Sequence, residues 1–447
     1  MTVQSITDPE PLYEDHLSAL NARMARALKT SEKRGVLISS GSLKQAFLDD
    51  HTYPFKVNPH FKAWLPVVDV PDSFLLIIPG SKPALFYNQP LDYWHKPPAD
   101  PEGFWTQHWD IQTIRSTQEM HNLIGDTHDL TFIGEETQVA TRVGIGSVND
   151  KRILDALHFD RAYKTPYELG CLQRANDRAA RGHLAARRAF SEGRSEFEIQ
   201  QAFLAAIRGR EKDAPYSGII ALNEHCAILH YQHYETRPPA EIRSMLIDAG
   251  ATSNGYAADV TRTYAFRQGV FADLINALDI QQQAIIEDIQ PGMNYIDLHR
   301  RMHLRLAEVL REFGLVDMSP SSMVESNLTS TFLPHGLGHL LGLQTHDVAG
   351  FVQNREGVIL PAPDQFPALR LTRPIEESQV FTIEPGLYFI PMLLDELRSQ
   401  STASDVNWPK VDTLLPFGGI RIEDNIAIQN AAPINLTRQA FAKQDDE

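Results

Sequence analysis

Cysteine is almost absent from this chain, which contains only Cys171 and Cys226 among its 447 residues. Two thiols are too few for a disulfide framework and are typical of proteins from a reducing compartment. No apolar run approaches the roughly 20 residues that a membrane-spanning helix needs. The first residues also lack the basic and apolar regions of a signal peptide. These absences predict a cytoplasmic protein without a membrane partner.

Positive charge is scarce as well. The 41 Lys and Arg residues are outnumbered by 57 Asp and Glu residues, which gives a net charge of −16. This balance argues against non-specific binding to nucleic acids, so no nucleic-acid partner is predicted. Hydrophobic residues make up 43% of the chain and charged residues 22%, which is ordinary for a globular protein.

The order of predicted elements changes near residue 160. Residues 1–160 combine an amphipathic helix pattern with short apolar runs bounded by Gly, Pro and Asp, which predicts an α/β domain. In residues 161–447 the order helix, helix, strands occurs twice, although the two copies share little sequence. Thr165 begins a capping box that predicts a helix from residue 166 to about residue 190. Disorder is predicted only for residues 443–447.

Two aspartates follow apolar segments of the first copy. Asp248 ends the run RSMLID, and the alternation of the next segment places Asp259 within a partner strand. A turn near Asn254 would bring the two strands together as a hairpin. Because an unpaired carboxylate in a buried strand is costly, a metal ion would compensate for its charge. Each aspartate could instead cap a turn or pair with Arg243 or Arg262.

Three histidines lie close together in the second copy. His335, His339 and His346 recur among several glycines, which let backbone segments approach closely. The same spacings also fit one face of an ordinary helix. The glycines favour a crowded site, in which His339 is the candidate metal ligand.

Two glutamates complete the set. Glu384 ends an alternating strand pattern, and Glu423 shares one strand face with Arg421 and Asn425. Glu423 could instead belong to an Arg–Glu ladder on the surface. Four carboxylates and one imidazole together suit two hard or borderline divalent ions. Such ions can activate a water molecule, so the sequence favours a metal-assisted hydrolase.

Four motifs resemble those of a known family. DAGATSNGYAADVTRT, HGLGHLLGLQTHD, TIEPGLYF and GGIRIEDN are similar to the ligand motifs of the "pita-bread" metallopeptidases, which include methionine aminopeptidase, aminopeptidase P and prolidase. FLDDHTYPFKVNPHFKAWLP, DYWHK and ALNEHCAILHY resemble the bacterial Xaa-Pro dipeptidase branch, which also contains organophosphorus acid anhydrolases. The resemblance implies an α+β protein with an N-terminal α/β domain and a C-terminal pita-bread (creatinase/aminopeptidase-like) domain with a pseudo-twofold.

The resemblance also assigns metal ligands. One ion would bind Asp248, Asp259 and Glu423, and the other would bind Asp259, His339, Glu384 and Glu423. Asp259 and Glu423 would then bridge the two. The implied cofactor is two divalent ions per subunit, with Mn²⁺ as the metal expected in this branch.

Further residues are assigned by the same resemblance. Glu384 would accept the proton of the attacking water and pass it to the leaving nitrogen, while His230 and His346 would bind the substrate or the intermediate. Arg421 and His335 are candidates for the substrate carboxylate, because an arginine fork matches a carboxylate. Arg421 could instead pair with Glu423 or Asp424.

The substrate pocket has four more candidates. Tyr216, Tyr295 and Leu369 would line it and Arg370 would lie at the substrate end, although the first three could equally be core residues. Trp94 would wall the pocket of a partner subunit, which implies a homodimer. The alternative is that Trp94 packs within its own domain.

The function implied is hydrolysis of Xaa-Pro dipeptides with a trans peptide bond, releasing C-terminal proline, with activity on organophosphate triesters as a side reaction. One alternative is an aminopeptidase P-like enzyme acting on longer X-Pro peptides. Others are a non-catalytic pita-bread binding protein and a metal-free creatine-type hydrolase, both of which the intact ligand set disfavours.

Overall fold

The computed structural model of the chain describes residues 8–445. Its contacts divide the chain into two compact units. The amino-terminal unit holds the described residues up to Cys171 together with Ser253–Tyr256 and Val352–Val358. The carboxyl-terminal unit holds the remainder. Within the described residues, no helix is both long enough and apolar enough to cross a membrane.

The amino-terminal unit contains one mixed sheet. Its strands are β1 (Gly35–Ser39), β2 (Phe74–Ile77), β3 (Ala84–Asn88), β4 (Asp110–Ile114), β5 (Leu130–Ile133) and β6 (Ser147–Val148). They lie in the order β4–β3–β2–β1–β5–β6. The pairs β1–β2 and β2–β3 are antiparallel, whereas β3–β4, β1–β5 and β5–β6 are parallel. The central strands β1 and β5 are buried throughout, in agreement with their mostly apolar sequences.

Five helices belong to this unit: α1 (Tyr13–Lys29), α2 (Pro59–Lys62), α3 (Thr117–Ile124), α4 (Thr137–Arg142) and α5 (Lys151–Arg161). The predicted α/β class of this part is therefore confirmed. The sequence analysis missed β4, because DIQTI is an edge strand whose first four residues are exposed or half-buried and which lacks an apolar run.

Two helix pairs, each followed by a three-stranded antiparallel sheet, organise the carboxyl-terminal unit. The first set comprises α6 (Pro166–Ser191, from Leu172 onward), α7 (Glu196–Ala206), β7 (Ile219–Leu222), β8 (Ser244–Asp248) and β11 (Thr261–Ala265). Two short strands, β9 (Thr252–Ser253) and β10 (Tyr256–Ala257), precede β11, and their residues Ser253 and Tyr256 belong to the amino-terminal unit. Its sheet has the order β11–β8–β7. Both helices begin at capping boxes, at Thr165 and at Ser195, as their sequences predict.

The second set repeats that order. It comprises α8 (Val270–Glu287), α9 (Tyr295–Glu312), α10 (Pro320–Glu325), α11 (Thr329–Phe332), β12 (Val380–Ile383), β13 (Gly386–Tyr388), α12 (Pro391–Arg398), α13 (Trp408–Leu414), β14 (Gly419–Arg421), β15 (Asp424–Gln429), β16 (Ala432–Asn435) and α14 (Leu436–Asp445). Its sheet has the order β12–β15–β16, and β13 pairs with β14. The predicted repeat of element order is confirmed.

Two local predictions were wrong, for Asp259 and for the last residues, and the helix considered as an alternative for the histidine segment is absent. Asp259 lies in the break between β10 and β11 rather than within a strand. The segment of the three clustered histidines, residues 335–346, contains no helix. Disorder predicted for residues 443–447 is contradicted up to Asp445, which ends α14. The last two residues lie outside the described part.

The first helix pair packs on the first sheet. Phe190, Ile199 and Phe203 from the helices share a buried cluster with Met245 and Ile247 of β8. β8 is thereby fixed from one side along its length. Its last residue, Asp248, emerges where that apolar strand ends.

A buried ion network supports β15. The carboxylate of Asp424 has no exposed surface and pairs with Arg262 and Arg438, each at 2.7 Å. Removing a partner from a buried ion pair leaves uncompensated charge, at a cost of about 3–5 kcal/mol.

We therefore expect Asp424→Asn to lower the free energy of unfolding by about that amount in urea titrations. The control is Asp412→Asn, whose exposed pair with Arg398 is worth about 1 kcal/mol or less. Equal losses in the two variants would contradict this expectation.

Candidate metal centre

The predicted ligands lie where strands end. Asp248 is the last residue of β8, Glu384 follows β12, and Glu423 lies between β14 and β15. His339 precedes Leu340, which bridges to β12. These ends open on a cavity of about 770 Å³ within the carboxyl-terminal unit. All five predicted ligands, including Asp259, line this cavity.

Three of the five form a tight buried cluster. Asp259, His339 and Glu423 are 5%, 3% and 2% exposed, and each offers a ligand atom within 4.8 Å of the other two. The Nε2 atom of His339 lies 3.3 Å from Asp259 Oδ2 and 4.0 Å from Glu423 Oε1. It also lies 3.6 Å from Glu384 Oε1. The cluster combines carboxylate oxygens with one imidazole nitrogen, a donor set that suits Mn²⁺, Co²⁺ or Zn²⁺.

The ring of His339 is oriented for a metal. Its Nδ1 atom lies 3.0 Å from the carbonyl oxygen of Leu340, so Nδ1 carries a proton and Nε2 faces the carboxylates. Burial lowers the pKa of His339, but Asp259 and Glu384 outweigh burial and the net shift is upward. A cation bound at Nε2 would replace the proton there and face the same carboxylate oxygens. In the usual arrangement of a ligating histidine, the other ring nitrogen donates a hydrogen bond, as Nδ1 does here.

The carboxylates repel one another when no cation is present. Burial raises the pKa of Glu384 to about 7. Burial, followed by the charges of Asp259 and Glu384, raises the pKa of Glu423 well above its ordinary value. Burial also acts on Asp259, but the hydrogen bond with His339 lowers its pKa overall. So much buried negative charge requires compensation, and divalent cations fit that need.

Asp248 is held differently from the other carboxylates. Its Oδ1 atom accepts a hydrogen bond from the Tyr216 hydroxyl at 2.8 Å, and its Oδ2 atom accepts one from Arg421 at 2.6 Å. Burial still raises its pKa, although Arg421 opposes that shift. Asp248 therefore lines the same cavity with both oxygens already oriented by neighbouring donors.

Arg421 has hydrogen-bond partners that the sequence analysis did not predict. Its guanidinium contacts Asp248 and donates to the Tyr388 hydroxyl at 2.7 Å, and the residue is only 5% exposed. Pairing with Asp424 is wrong, because that carboxylate pairs with Arg262 and Arg438 instead. The guanidinium that was expected to bind a substrate carboxylate thus already has two protein partners. Arg421 nevertheless lines the cavity.

The other predicted histidines also line the cavity. His335 has both ring nitrogens engaged, Nε2 with the Tyr388 hydroxyl at 3.0 Å and Nδ1 with the Gly336 carbonyl at 2.8 Å. Burial lowers its pKa to about 3, so the ring is neutral. The ring of His346 lies edge-on to His339, 4.3 Å between centroids. Burial, and then His339, lowers the pKa of His346 to about 4. His230 is exposed at the cavity.

The predicted pocket residues divide into two groups. Tyr216, Leu369 and Arg370 line the cavity. Tyr295 is fully buried behind it, and its hydroxyl donates to the Thr382 carbonyl at 2.7 Å. Tyr295 therefore supports the site from behind and is not among the lining residues. Trp94 belongs to the amino-terminal unit.

Trp94 does not pack within its own unit. Its side chain is 76% exposed, and the neighbouring Tyr93 is 88% exposed. The two rings lie 4.9 Å apart. The alternative of ordinary packing within its own domain is therefore wrong.

Glycine is required at one point of the histidine segment. A Cβ atom on Gly338 would overlap the carbonyl oxygen of Thr382 and the hydroxyl of Tyr295. The backbone beside His339 can thus lie directly against the end of β12, as the glycine pattern predicts.

Sequence analysis missed the residues that orient the ligands. Thr261 donates to Glu423 Oε2 at 2.7 Å, and Asn425 Oδ1 accepts from the Asp259 amide at 3.0 Å. Tyr388 lies between Arg421 and His335. Thr261 stands two residues after a ligand, as does Asn425, so spacing along an extended chain could have indicated them.

Known families match both parts of the chain. Residues 11–159 match the family described as Xaa-Pro dipeptidase, N-terminal domain, and residues 170–430 match metallopeptidase family M24. The chain is 48% identical over 429 residues to an Xaa-Pro dipeptidase of Pseudoalteromonas haloplanktis, covering 96% of this chain and 98% of that protein. It is 49% identical over 432 residues to one of Aeromonas hydrophila, with the same coverage.

Solved structures share the fold at lower identity. Aminopeptidase P of Escherichia coli with the inhibitor Pro-Leu superposes with a TM-score of 0.69 at 21% identity, covering 96% of this chain and 99% of that one. A zinc-substituted form of the same enzyme has a TM-score of 0.68 at 20% identity, covering 95% of this chain and 98% of that one. These structures agree with the predicted α+β class and pita-bread architecture.

Metal affinity is expected to depend on pH. Because the metal-free pKa of Glu384 is about 7, a proton competes with the metal below that pH. We expect the affinity for Mn²⁺, measured by calorimetric titration of the metal-free protein, to fall about tenfold from pH 8 to pH 6. Asp259→Asn should bind weakly at both values. An affinity that is the same at pH 6 and pH 8 would contradict the role of Glu384.

Proposed function

Because the chain belongs to metallopeptidase family M24, we propose that it is a metal-dependent Xaa-Pro dipeptidase. It would hydrolyse dipeptides with a trans Xaa-Pro bond and release proline. The observation that carries this proposal is the convergence of Asp248, Asp259, His339, Glu384 and Glu423 on one cavity. Close identity to Xaa-Pro dipeptidases over nearly the whole chain supports the substrate class.

We infer that the five ligands hold two divalent cations. Asp259 and Glu423, the most buried carboxylates of the set, would be shared by both cations. Asp248 would complete one coordination sphere, and His339 with Glu384 the other. Divalent cations, when bound, supply Lewis acidity toward a carbonyl oxygen and lower the pKa of a water molecule. Mn²⁺ is the proposed metal, with Co²⁺ and Zn²⁺ as comparisons.

The side chains then divide the proton transfers. Glu384 would accept a proton from the attacking water and deliver it to the leaving nitrogen, which is a general acid–base role. His346 is neutral, so its single ring N–H group could donate to the oxygen on which charge develops. His230, exposed at the cavity, would orient the substrate.

The free carboxylate of proline needs a cationic or hydrogen-bonding partner. Arg421 lines the cavity but already contacts Asp248 and Tyr388. With Asp248 bound to a metal, the guanidinium would lose that contact and could donate to a substrate carboxylate instead. Arg370 is exposed at the same cavity and is the second candidate. His335 would act as a neutral wall residue, and Tyr216 and Leu369 would line the side-chain pockets.

Phosphotriester hydrolysis is a proposed side activity. The same site chemistry, an activated water beside a Lewis acid, can attack phosphorus as well as carbon. It is tested by assaying a chromogenic phosphotriester with the metal-loaded protein, and no turnover above that of Asp259→Asn would contradict it.

Loss and recovery of metal provide the first test. We expect chelator treatment to lower proline release from Leu-Pro at least 100-fold, and Mn²⁺ to restore it, because the water is activated only with cations bound. Chelated Asp259→Asn should not recover. Leu-Pro amide, which lacks the carboxylate, should be cleaved poorly.

The comparison of substrates separates the alternatives. Equal rates on Leu-Pro, its amide and longer Leu-Pro peptides would favour an aminopeptidase P-like enzyme. Absence of release with Mn²⁺, Co²⁺ and Zn²⁺ on every one of these substrates would favour a non-catalytic binding protein.

Trp94 supports a second proposal, that the protein is a homodimer in which this residue walls the partner's cavity. A large exposed aromatic pair, Trp94 with Tyr93, is typical of a contact surface.

We expect Trp94→Ala to raise KM for Leu-Pro about tenfold without losing metal. Sedimentation should show a dimer of the wild-type protein.

Subunit mixing makes that test specific. Heterodimers of Trp94→Ala with inactive Asp259→Asn would contain one intact site, formed by an unaltered metal centre and the partner's Trp94. Co-expression should therefore restore a low KM. A monomeric protein, or a mixture no better than Trp94→Ala alone, would rule out this arrangement.

A further inference from the structure

Glu196 is a buried carboxylate outside the metal ligands. It is the first residue of α7 and is 1% exposed. Its Oε1 atom accepts from the Leu222 amide at 2.9 Å and lies 2.8 Å from His225 Nδ1. Its Oε2 atom accepts from the Tyr231 hydroxyl at 2.7 Å and from the Glu235 amide at 2.8 Å. Four donors thus fill the acceptor capacity of one carboxylate.

All four donors belong to one segment, residues 222–235. The helix itself is capped by other groups, since Ser195 and Glu198 form its capping box. The carboxylate of Glu196 is therefore not needed for the start of α7. Its contacts join the helix to residues that follow β7.

That segment borders the cavity. Leu229, His230 and Gln232 line the cavity. Tyr231, which lies between His230 and Gln232 in the sequence, is only 3% exposed. Residues 228–235 contain neither helix nor strand. No backbone ladder fixes this stretch, although local backbone hydrogen bonds join Ile228 to His225 and Tyr231 to Ile228. The hydrogen bond from the Tyr231 hydroxyl to Glu196 is a buried side-chain contact next to His230 in the sequence.

We propose that Glu196 is a positioning residue for the reaction. Through Tyr231 and the two amides, its carboxylate fixes residues 222–235 and so holds His230 at the substrate. The inference rests on the proposed function, because it takes His230 to contact the substrate. A misplacement of about 1 Å in such a group can lower the rate about 100-fold.

Two variants test this role. Tyr231→Phe removes one hydroxyl donor and leaves the volume almost unchanged, and Glu196→Gln removes two of the four acceptor directions. In the Mn²⁺-loaded protein, each should lower kcat/KM for Leu-Pro about 10- to 100-fold without changing the affinity for Mn²⁺. In a His230→Ala background, the same changes should have less than about a twofold effect, since contacts acting through one residue are not additive.

A matched control and a second readout keep the outcomes separate. Glu198→Gln, two residues away on α7 and half-exposed, removes the same charge and should keep wild-type kinetics. Deuterium exchange, which needs no turnover, should rise in residues 228–235 of Glu196→Gln and Tyr231→Phe only.

Unchanged exchange in that segment, or equally large rate losses with and without His230, would overturn the positioning role. A wild-type protein that binds Mn²⁺ but hydrolyses no dipeptide would overturn the proposed function instead.

Discussion

Negative charge concentrated away from water is the constraint around which the carboxyl-terminal unit is built. Asp248, Asp259, Glu384 and Glu423 share one cavity, and the most buried of them, Glu423, is 2% exposed. Carboxylates in such surroundings either take up protons or acquire cations. The raised pKa of Glu423 expresses that conflict. A metal centre resolves it, and for this reason a ligand set that is unfavourable by itself can persist.

The surrounding architecture serves to hold these groups in place against their repulsion. Each carboxylate follows or ends a strand, and strands from both sheets contribute. Thr261 of β11 pairs with Glu423, so the two sheets meet at the ligands themselves. Arg421 and Tyr216 restrain Asp248, and Gly338 lets the backbone beside His339 lie against β12. Repulsion is thereby countered by short, directed hydrogen bonds rather than by distance.

The parts of this arrangement that local sequence determines could be predicted. The capping boxes at Thr165 and Ser195 need only four residues each. The apolar run before Asp248 predicts a strand that ends at that residue. Asp259 was misplaced because its surroundings are set from far along the chain, where Asn425 binds its backbone. The hydrogen-bond partners of Arg421 and Glu196 also come from distant parts of the sequence. Which donor meets which acceptor depends on tertiary packing, and alternation along a strand carries no information about it.

The division of the ligands between the two repeats has a consequence for how the protein matures. Asp248 and Asp259 belong to the first set of elements, whereas His339, Glu384 and Glu423 belong to the second, and β15, β16 and α14 still follow the last ligand. During synthesis, an emerging chain carries two carboxylates long before it carries the imidazole. Such a fragment would hold only two of the five proposed ligands. On the proposed ligand assignment, selective metal binding would require the nearly finished chain, with both repeats made and joined.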